Sequence, residues 1–431
     1  MSESADVIVI GAGAAGLAAA AQLARAGRSV LLLEARDRIG GRIDTSFESG
    51  SATPIELGAE FIHGHAPATM EWLARAGSTR IDTPDSHWRL EQGALAQRDS
   101  LFPQIQQLMQ QHAALATHDM SLHQFLQGPL RGRVTPAQCD YICLMAEGFD
   151  AAEPSRISAR SIVEEWTGDM MTDAPQGRPT GGYASLLRAL LATMPEGVQL
   201  RLQCVVREVH WSRGQVRVLA GSPEGEFVVQ ARAAVIALPL GVLQSDDVRF
   251  DPPLARKQTA LNGLAVGPVI KLMLQFRRAF WADLDDGRYR DVGFFHLSHE
   301  HLFPTFWTQS PMRTPLLCAW AGGPRAARLS AAFDREAMIR QALADLGQVF
   351  NGRVDAAGEL EQAWMHDWQR DPFARGAYSY IAVGGGDARA QLAEPLLDTL
   401  FFAGEATDDE EAATVTGALQ SGERVAREII G

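Results

Sequence analysis

The sequence predicts an α/β protein of two domains, one of them discontinuous and built on a parallel sheet. Three observations predict it. The stretch from Asp6 to Arg42 reads as strand, glycine turn, helix and second strand. Buried-strand patterns return at 231–239 and 400–403, far from the first. The chain of 431 residues exceeds one usual domain.

The first element is Asp6-Val-Ile-Val-Ile, followed by Gly11-Ala-Gly13-Ala-Ala15-Gly16 and an alanine-rich run to Ala26. Gly11 permits the tight turn, Gly13 lets a backbone approach a pyrophosphate, and Gly16 lets the helix pack close on the sheet. Ser-Val-Leu-Leu-Leu then leads to Glu34, at the end of the second strand, where a carboxylate accepts from a ribose diol and repels a 2′-phosphate. Strand, helix and acid together predict a Rossmann-like dinucleotide site. Arg36, Arg38, Gly40, Gly41 and Arg42 follow at once. Two further glycines and a guanidinium suit a second approach to the same pyrophosphate, which an ordinary nicotinamide half-domain does not need. This separates FAD from NAD.

Next comes Ile55-Glu-Leu-Gly58-Ala59-Glu60-Phe61-Ile-His63-Gly64, an apolar strand-like piece able to lie along a flavin. From Thr69 to Gly168 the pattern turns helical: Leu101, Ile105, Leu108, His112 and Leu115 share one face, and further helices are expected near Pro136–Gly148 and Ser158–Met171. Asp169–Pro179 reads as a loop. Gly181 and Gly182 precede a helix, Ala184–Thr193. Gln199–His210 with Gly214–Leu219 reads as a hairpin, and Ala231–Pro239 as a buried strand. After Pro252 and Pro253, Gly267–Phe276 is an apolar strand interrupted by Lys271. Burying an ammonium is costly unless it is paired or deprotonated, so Lys271 is a functional candidate or an edge lysine reaching water. A strand at Leu316–Gly323 and an amphipathic helix at Asp334–Phe350 follow. The chain closes on Leu400–Ala403, Gly404, Glu405, an acidic loop Asp408–Glu411, and a helix whose N-terminus lies near Thr414 and Val415.

Arg38-x-Gly40-Gly41-Arg42, the Gly58–Gly64 segment, and Trp364-Met-His-Asp-Trp368-Gln-Arg-Asp-Pro-Phe373-Ala-Arg-Gly-Ala377-Tyr378 resemble the flavin amine oxidoreductase family. That family comprises monoamine oxidases, polyamine oxidases and lysine-specific histone demethylases. The resemblance spans the chain and implies a glutathione-reductase-like FAD domain from residues 1–75, 180–248 and 390–431. The substrate domain is then 76–179 and 249–389. It implies FAD contacts from Gly11, Gly13, Ala15, Gly16, Glu34, Ala35, Arg36, Gly41 and Arg42, and from Gly58, Ala59, Glu60 and Phe61. Val206 corresponds to the adenine contact. Gly404 and Glu405 fall on the ribityl-phosphate side, and Thr414, Val415 and Ala418 near the isoalloxazine. Lys271 corresponds to a lysine bonded through a water to flavin N5, Tyr378 to an aromatic wall, Trp368 to a shaping ring, and His63 to the substrate channel. Ala377 stands where monoamine oxidases carry the flavin-linking cysteine, so the link is expected to be non-covalent.

The implied reaction is oxidation of an amine C–N bond. A neutral amine gives a hydride to flavin N5, the imine is hydrolysed, and O2 restores the flavin with release of H2O2. Polyamines or other cationic amines are favoured. An L-amino-acid oxidase, which needs an arginine for the substrate carboxylate, and a flavin desaturase are the alternatives. No long antiparallel helical insertion interrupts the chain, which argues against histone demethylation. Net charge of −13 argues against nucleic acid and suits cationic small molecules. Cys139, Cys143, Cys204 and Cys318 have neither disulfide nor zinc spacing, so no metal is expected. The first strand begins at Asp6, with no room for a signal peptide, and no uncharged run spans a bilayer. A cytoplasmic enzyme away from the membrane is expected.

Overall fold

The computed structural model describes residues 3–48, 51, 53–99, 102–116, 118–168 and 176–431. Val7–Ile10 and Val30–Leu33 are strands buried along their whole length, as runs apolar on both faces require of a covered parallel sheet. The sheet has five parallel strands, in the order Val198–Arg201, Val30–Leu33, Val7–Ile10, Ala233–Ile236 and Leu400–Phe402. One face carries the helices Ala14–Arg25, Pro67–Arg75, Ala184–Ala192 and Val415–Ile430, which share a single core. The other face packs Ile8, Ile10, Leu31 and Leu33 against Val209, Val218 and Val229 of a second sheet. That sheet runs Glu3–Ser4, Gly225–Ala231, Gln215–Ser222, Val205–Ser212, Arg249–Asp251.

Here the expected hairpin divides. Val198–Arg201 joins the parallel sheet, and only Val205–Ser212 pairs with Gln215–Ser222. Gln203 sits at φ 55°, a left-handed kink that breaks the arm in two. The chain also crosses over later than residue 248. Arg249–Asp251 pairs with Val205–Ser212, and Ala260, Leu261 and Leu264 join the same core.

The remaining large sheet has seven strands, in the order Leu360–Asp367, Val269–Phe276, Leu316–Gly322, Thr305–Thr308, Phe294–His296, His87–Glu91 and Ala94–Arg98. Helices Gly323–Ala332 and Arg335–Val349 supply Ala326, Leu329, Met338, Ala342 and Leu346 to the core on one face. Asp334 caps the second helix by accepting from Ala337 N. Phe102–His112, Leu122–Gln127, Pro136–Gly148 and Ala159–Thr167 form a helical cluster with its own core.

The stretch read as helical throughout therefore contains a β-hairpin, His87–Glu91 with Ala94–Arg98. Gln92 and Gly93, at φ 50° and 77°, make its two-residue turn. A Gln-Gly pair signals such a turn less strongly than Asn-Gly. Of the Ile55–Gly64 piece, only Ile55–Glu56 is strand, paired with Thr45–Ser46. Leu101 and residues 169–175 of the expected loop lie outside the described residues, as do the last residues of the expected helix Ser158–Met171. Gly177–Pro179 is a strand on Arg80–Asp82. Among the described residues no helix is long and apolar enough to cross a membrane, and no cluster of ligating side chains could hold a metal.

Candidate active site

A cavity of about 1450 Å³ opens where the parallel strands end, at Ile10, Glu34, Ala237 and Gly404, and extends over the seven-stranded sheet. Ligands of open α/β sheets bind at such carboxyl ends. Of all the residues expected at the site, only Gly16 does not line it. Gly16 acts underneath: a Cβ there would fall 1.9 Å from Gly11 O. Gly11, at φ 103°, donates its N–H to Leu33 O at 2.8 Å, and a Cβ there would meet Ala237 O at 2.7 Å. At Gly13 the nearest atom to an added Cβ is Gly40 O at 3.8 Å, so this position is open to the cavity.

Gly13 is the N-cap of helix Ala14–Arg25 and supplies no side-chain cap. The first-turn N–H groups therefore face the cavity without an intrahelical acceptor, as an anion cradle requires. Buried Glu34 accepts from Ala12 N at 2.8 Å and Arg36 N at 2.9 Å, which fixes the carboxylate while each oxygen keeps a free lone pair. These features fit a dinucleotide whose pyrophosphate meets the helix and whose ribose meets Glu34. Ala35, Gly41, Ala59 and Phe61 line the cavity through backbone or apolar surface. A register shift between Val206 and Glu208 turns the strand so that Val205, Val206 and Arg207 all face in.

Several charged groups expected against the cofactor line the cavity and also bond to protein. Arg36 bonds Asp371 at 2.8 Å and lies over Phe373. Burial pushes the Asp371 carboxyl up, but His366 and Arg36 outweigh it and hold the carboxyl at about 2. Arg42 donates to Glu405 Oε1 at 2.8 Å and to Ala377 O at 2.6 Å. The other oxygen of Glu405 accepts from the Ser379 hydroxyl at 2.6 Å. Burial would raise Glu405; Arg42, Arg389 and Ser379 hold it below its ordinary value. Glu60 lines the cavity, and its carboxylate is held by protein. Its Oε2 accepts from Lys271 Nζ at 2.6 Å, and Oε1 from Arg178 Nε at 2.7 Å and Trp307 Nε1 at 3.0 Å. The charge in an apolar strand is thus paired. Burial pushes Glu60 up, and the two cations more than reverse it, to about 2. Lys271 also donates to Gly58 O at 3.1 Å. An ammonium has three N–H groups, so one remains toward the cavity. Thr414, expected beside the isoalloxazine, lines the cavity, but its hydroxyl caps the last helix by accepting from Gly417 N and donates to Glu411 O. Its neighbours Val415 and Ala418 line the same wall.

The floor is one face of the seven-stranded sheet. Lys271, Trp320, Thr305, His296 and Arg89 are successive partners across four strand pairs, and all line the cavity. Trp307, Phe294 and His87 form a parallel row. Trp368 donates to Leu57 O at 3.0 Å and stacks on His366 at 3.8 Å. Tyr378 donates to Phe149 O at 2.6 Å, so its ring is fixed. Burial first, then Asp150 and Glu165, push its phenol above the ordinary value.

Opposite the floor, His63 packs edge-on to Phe149 and makes no hydrogen bond among the described residues. Burial lowers its imidazole to about 4, so it is neutral at pH 7. Asp150 and Glu165, two carboxyls that carry no motif in the sequence, also line the cavity. Burial and the neighbouring Glu165 push Asp150 well up, and burial raises Glu165. Asp150 Oδ2 is buried with no partner among the described residues. Asp409, Glu410 and Glu411 of the acidic loop reach the cavity as well.

The family profile described as "Flavin containing amine oxidoreductase" matches residues 14–430. The chain is 29% identical to lysine-specific histone demethylase 2 of Homo sapiens, over 98% of this chain and 53% of that protein. It is 30% identical to polyamine oxidase 2 of Arabidopsis thaliana, over 98% of this chain and 87% of that one. It therefore spans about half the length of the Homo sapiens and Mus musculus histone demethylases it matches, and most of the plant oxidase. Among solved structures, putrescine oxidase bound to putrescine matches with a TM-score of 0.82 over all of both chains at 23% identity. Cyclohexylamine oxidase from Brevibacterium oxydans matches with 0.80 at 20% identity, over 99% of this chain and 98% of that one. At these identities the structural likeness speaks for the fold.

Proposed function

Because this chain belongs to the flavin-containing amine oxidoreductase family, we propose that it oxidises a cationic amine in the cytoplasm, with non-covalent FAD as cofactor and dioxygen as acceptor. The observation that carries the amine reading is the buried carboxyl pair Asp150 and Glu165 beside Tyr378. Burial raises both carboxyls and Glu165 raises Asp150 further, so the pair gains most from an arriving ammonium, which releases the retained proton and supplies the missing charge.

The flavin supplies the hydride acceptor; the residues supply position and electrostatics. The first-turn N–H groups after Gly13 and the carboxylate of Glu34 would hold the dinucleotide. Lys271, fixed by Glu60 and Gly58 O, offers its third N–H to a water at the reacting edge. Tyr378 and Trp368, each locked by a hydrogen bond to a carbonyl, hold the amine carbon in place. Neutral His63 can accept from the amine without adding a second positive charge. Ala377 has no sulfur to bind the flavin. In this reading residues 1–75, 180–248 and 390–431, with 249–264 packed on them, serve the cofactor, and the rest serve the substrate.

Peroxide release against panels of monoamines, diamines, polyamines and amino acids tests the proposal. Diamines or polyamines are expected to be turned over, and the colour to leave with small molecules after heat denaturation. Failure of every amine to bleach the flavin anaerobically would overturn it.

A further inference from the structure

The far end of the floor differs in charge from the end near Lys271. Strand alternation turns His87 and Arg89 toward the cavity and buries Trp88 in the opposite core. The Arg89 guanidinium lies 4.8 Å over the Tyr141 ring. Among the described residues it makes no hydrogen bond or ion pair, and its Nε is buried without an acceptor. Nearby acids are already engaged: Glu91 pairs with Arg98 at 2.6 Å, and Asp85 Oδ1 lies 2.8 Å from His87 Nε2. Three other cavity arginines have acceptors, Arg36 with Asp371, Arg42 with Glu405 and Arg389 with Ser379, and Arg207 is exposed to solvent.

The histidines do not supply the missing anion. Asp85 accepts from His87 Nε2, so His87 Nδ1 accepts from His296 Nε2 at 2.8 Å. Burial keeps both rings below their ordinary values, hence neutral at pH 7. A partly buried guanidinium with an orphaned Nε is the fork a carboxylate fills side-on, through Nε and one Nη.

Resting on the amine oxidase reading, we propose that Arg89 binds a carboxylate at the distal end of the cavity. The substrate is then a long amine that carries an acid at its other end. Four strand spacings of ~4.8 Å place Arg89 roughly 19 Å from Lys271 along the sheet. A chain on the order of a dozen carbons covers most of that span. Asp150 and Glu165 give up their proton to an ammonium at one end and Arg89 is positive at the other, which orients such a molecule and repels a second terminal ammonium only on a chain long enough to reach Arg89, not on shorter diamines.

The test compares 12-aminododecanoic acid, 1,12-diaminododecane and dodecylamine on the flavin-loaded wild type, Arg89→Gln, Arg89→Lys and Arg89→Glu. Arg89→Gln should cut kcat/KM for the amino acid by about tenfold or more while dodecylamine changes by less than about threefold. Arg89→Lys, which keeps the charge without the fork, should fall between, and Arg89→Glu should make the diamine the better substrate. Equal changes for all three compounds would overturn the proposal. Calorimetry with dodecanoate, which has no amine, separates this subsite from the reaction. About tenfold weaker binding to Arg89→Gln supports the subsite even if no amine is oxidised. Turnover of amines with dodecanoate binding indifferent to Arg89 removes the subsite and leaves the reaction standing.

Discussion

The two halves of the cavity are made of different material. The half around Gly13 is made of backbone: a glycine turn, the first N–H groups of one helix, and a carboxylate locked by two N–H groups. The half around Lys271 is made of side chains from five strands and a helical cluster, held by buried ions. A backbone site depends on the absence of side chains, so its weak points are steric. A side-chain site depends on paired charges, so its weak points are electrostatic.

Substitutions should separate these failure modes. The largest effect is expected from Gly16→Ala, whose Cβ would overlap Gly11 O; loss of more than about 4 kcal/mol should leave little folded protein by circular dichroism. Gly13→Ala sharpens the contrast, because its Cβ has room. It should melt within about 2 °C of wild type yet bind FAD at least tenfold more weakly by absorbance titration.

On the side-chain half, Glu60→Gln removes the anion between Lys271 and Arg178 and should cost about 3–5 kcal/mol in denaturant unfolding. Lys271→Met leaves Glu60 paired with Arg178, so less stability is lost. That variant should retain FAD and slow flavin reduction or reoxidation in stopped-flow traces; unchanged rates for both would remove Lys271 from the chemistry. Asp150→Asn should raise KM for a diamine by about tenfold and for a monoamine less, with kcat for the monoamine little changed.

The smallest effect is expected at the acidic loop. Neutralising Asp408–Glu411 should lower kcat/KM for a diamine by about two- to threefold at low salt, a difference that shrinks as salt rises. Burial, then Asp408 and Glu410, raise the Glu411 carboxyl from 4.5 to about 6. Since the folded value is the higher, Glu411 adds stability below pH 4.5 that is lost as pH rises through about 6. Glu411→Gln should flatten the melting temperature over that window.

The backbone half was legible because its signal is contiguous: Asp6–Glu34 carries strand, turn, helix and acid within one stretch. The side-chain half was legible only in part. Lys271 stands out as a charge in an apolar strand, but its partner Glu60 lies 211 residues away and its second neighbour Arg178 in a stretch that read as loop. Glu60 and Glu405 share their segments with cofactor-side glycines, and nothing local says that Lys271 and Arg178 take up the oxygens of the first, or Arg42 and Ser379 those of the second. The hairpin carrying His87 and Arg89 escaped because its turn is Gln-Gly and its strands are short and polar. Asp150 and Glu165 are ordinary acids until folding buries them together.

The order of synthesis gives the backbone half a further property. A Cβ on Gly422 would lie 2.1 Å from Ala15 O, so the last helix rests directly on the first, and Leu400–Phe402 closes the sheet that begins at Val7. The motif made first is therefore completed last. At ribosomal speeds of ~5–20 residues per second, Ala14–Arg25 waits on the order of half a minute for its covering. During that interval its alanine face is open to chaperones and to neighbouring chains. A stop codon late in the message would thus do its damage at the opposite end of the polypeptide.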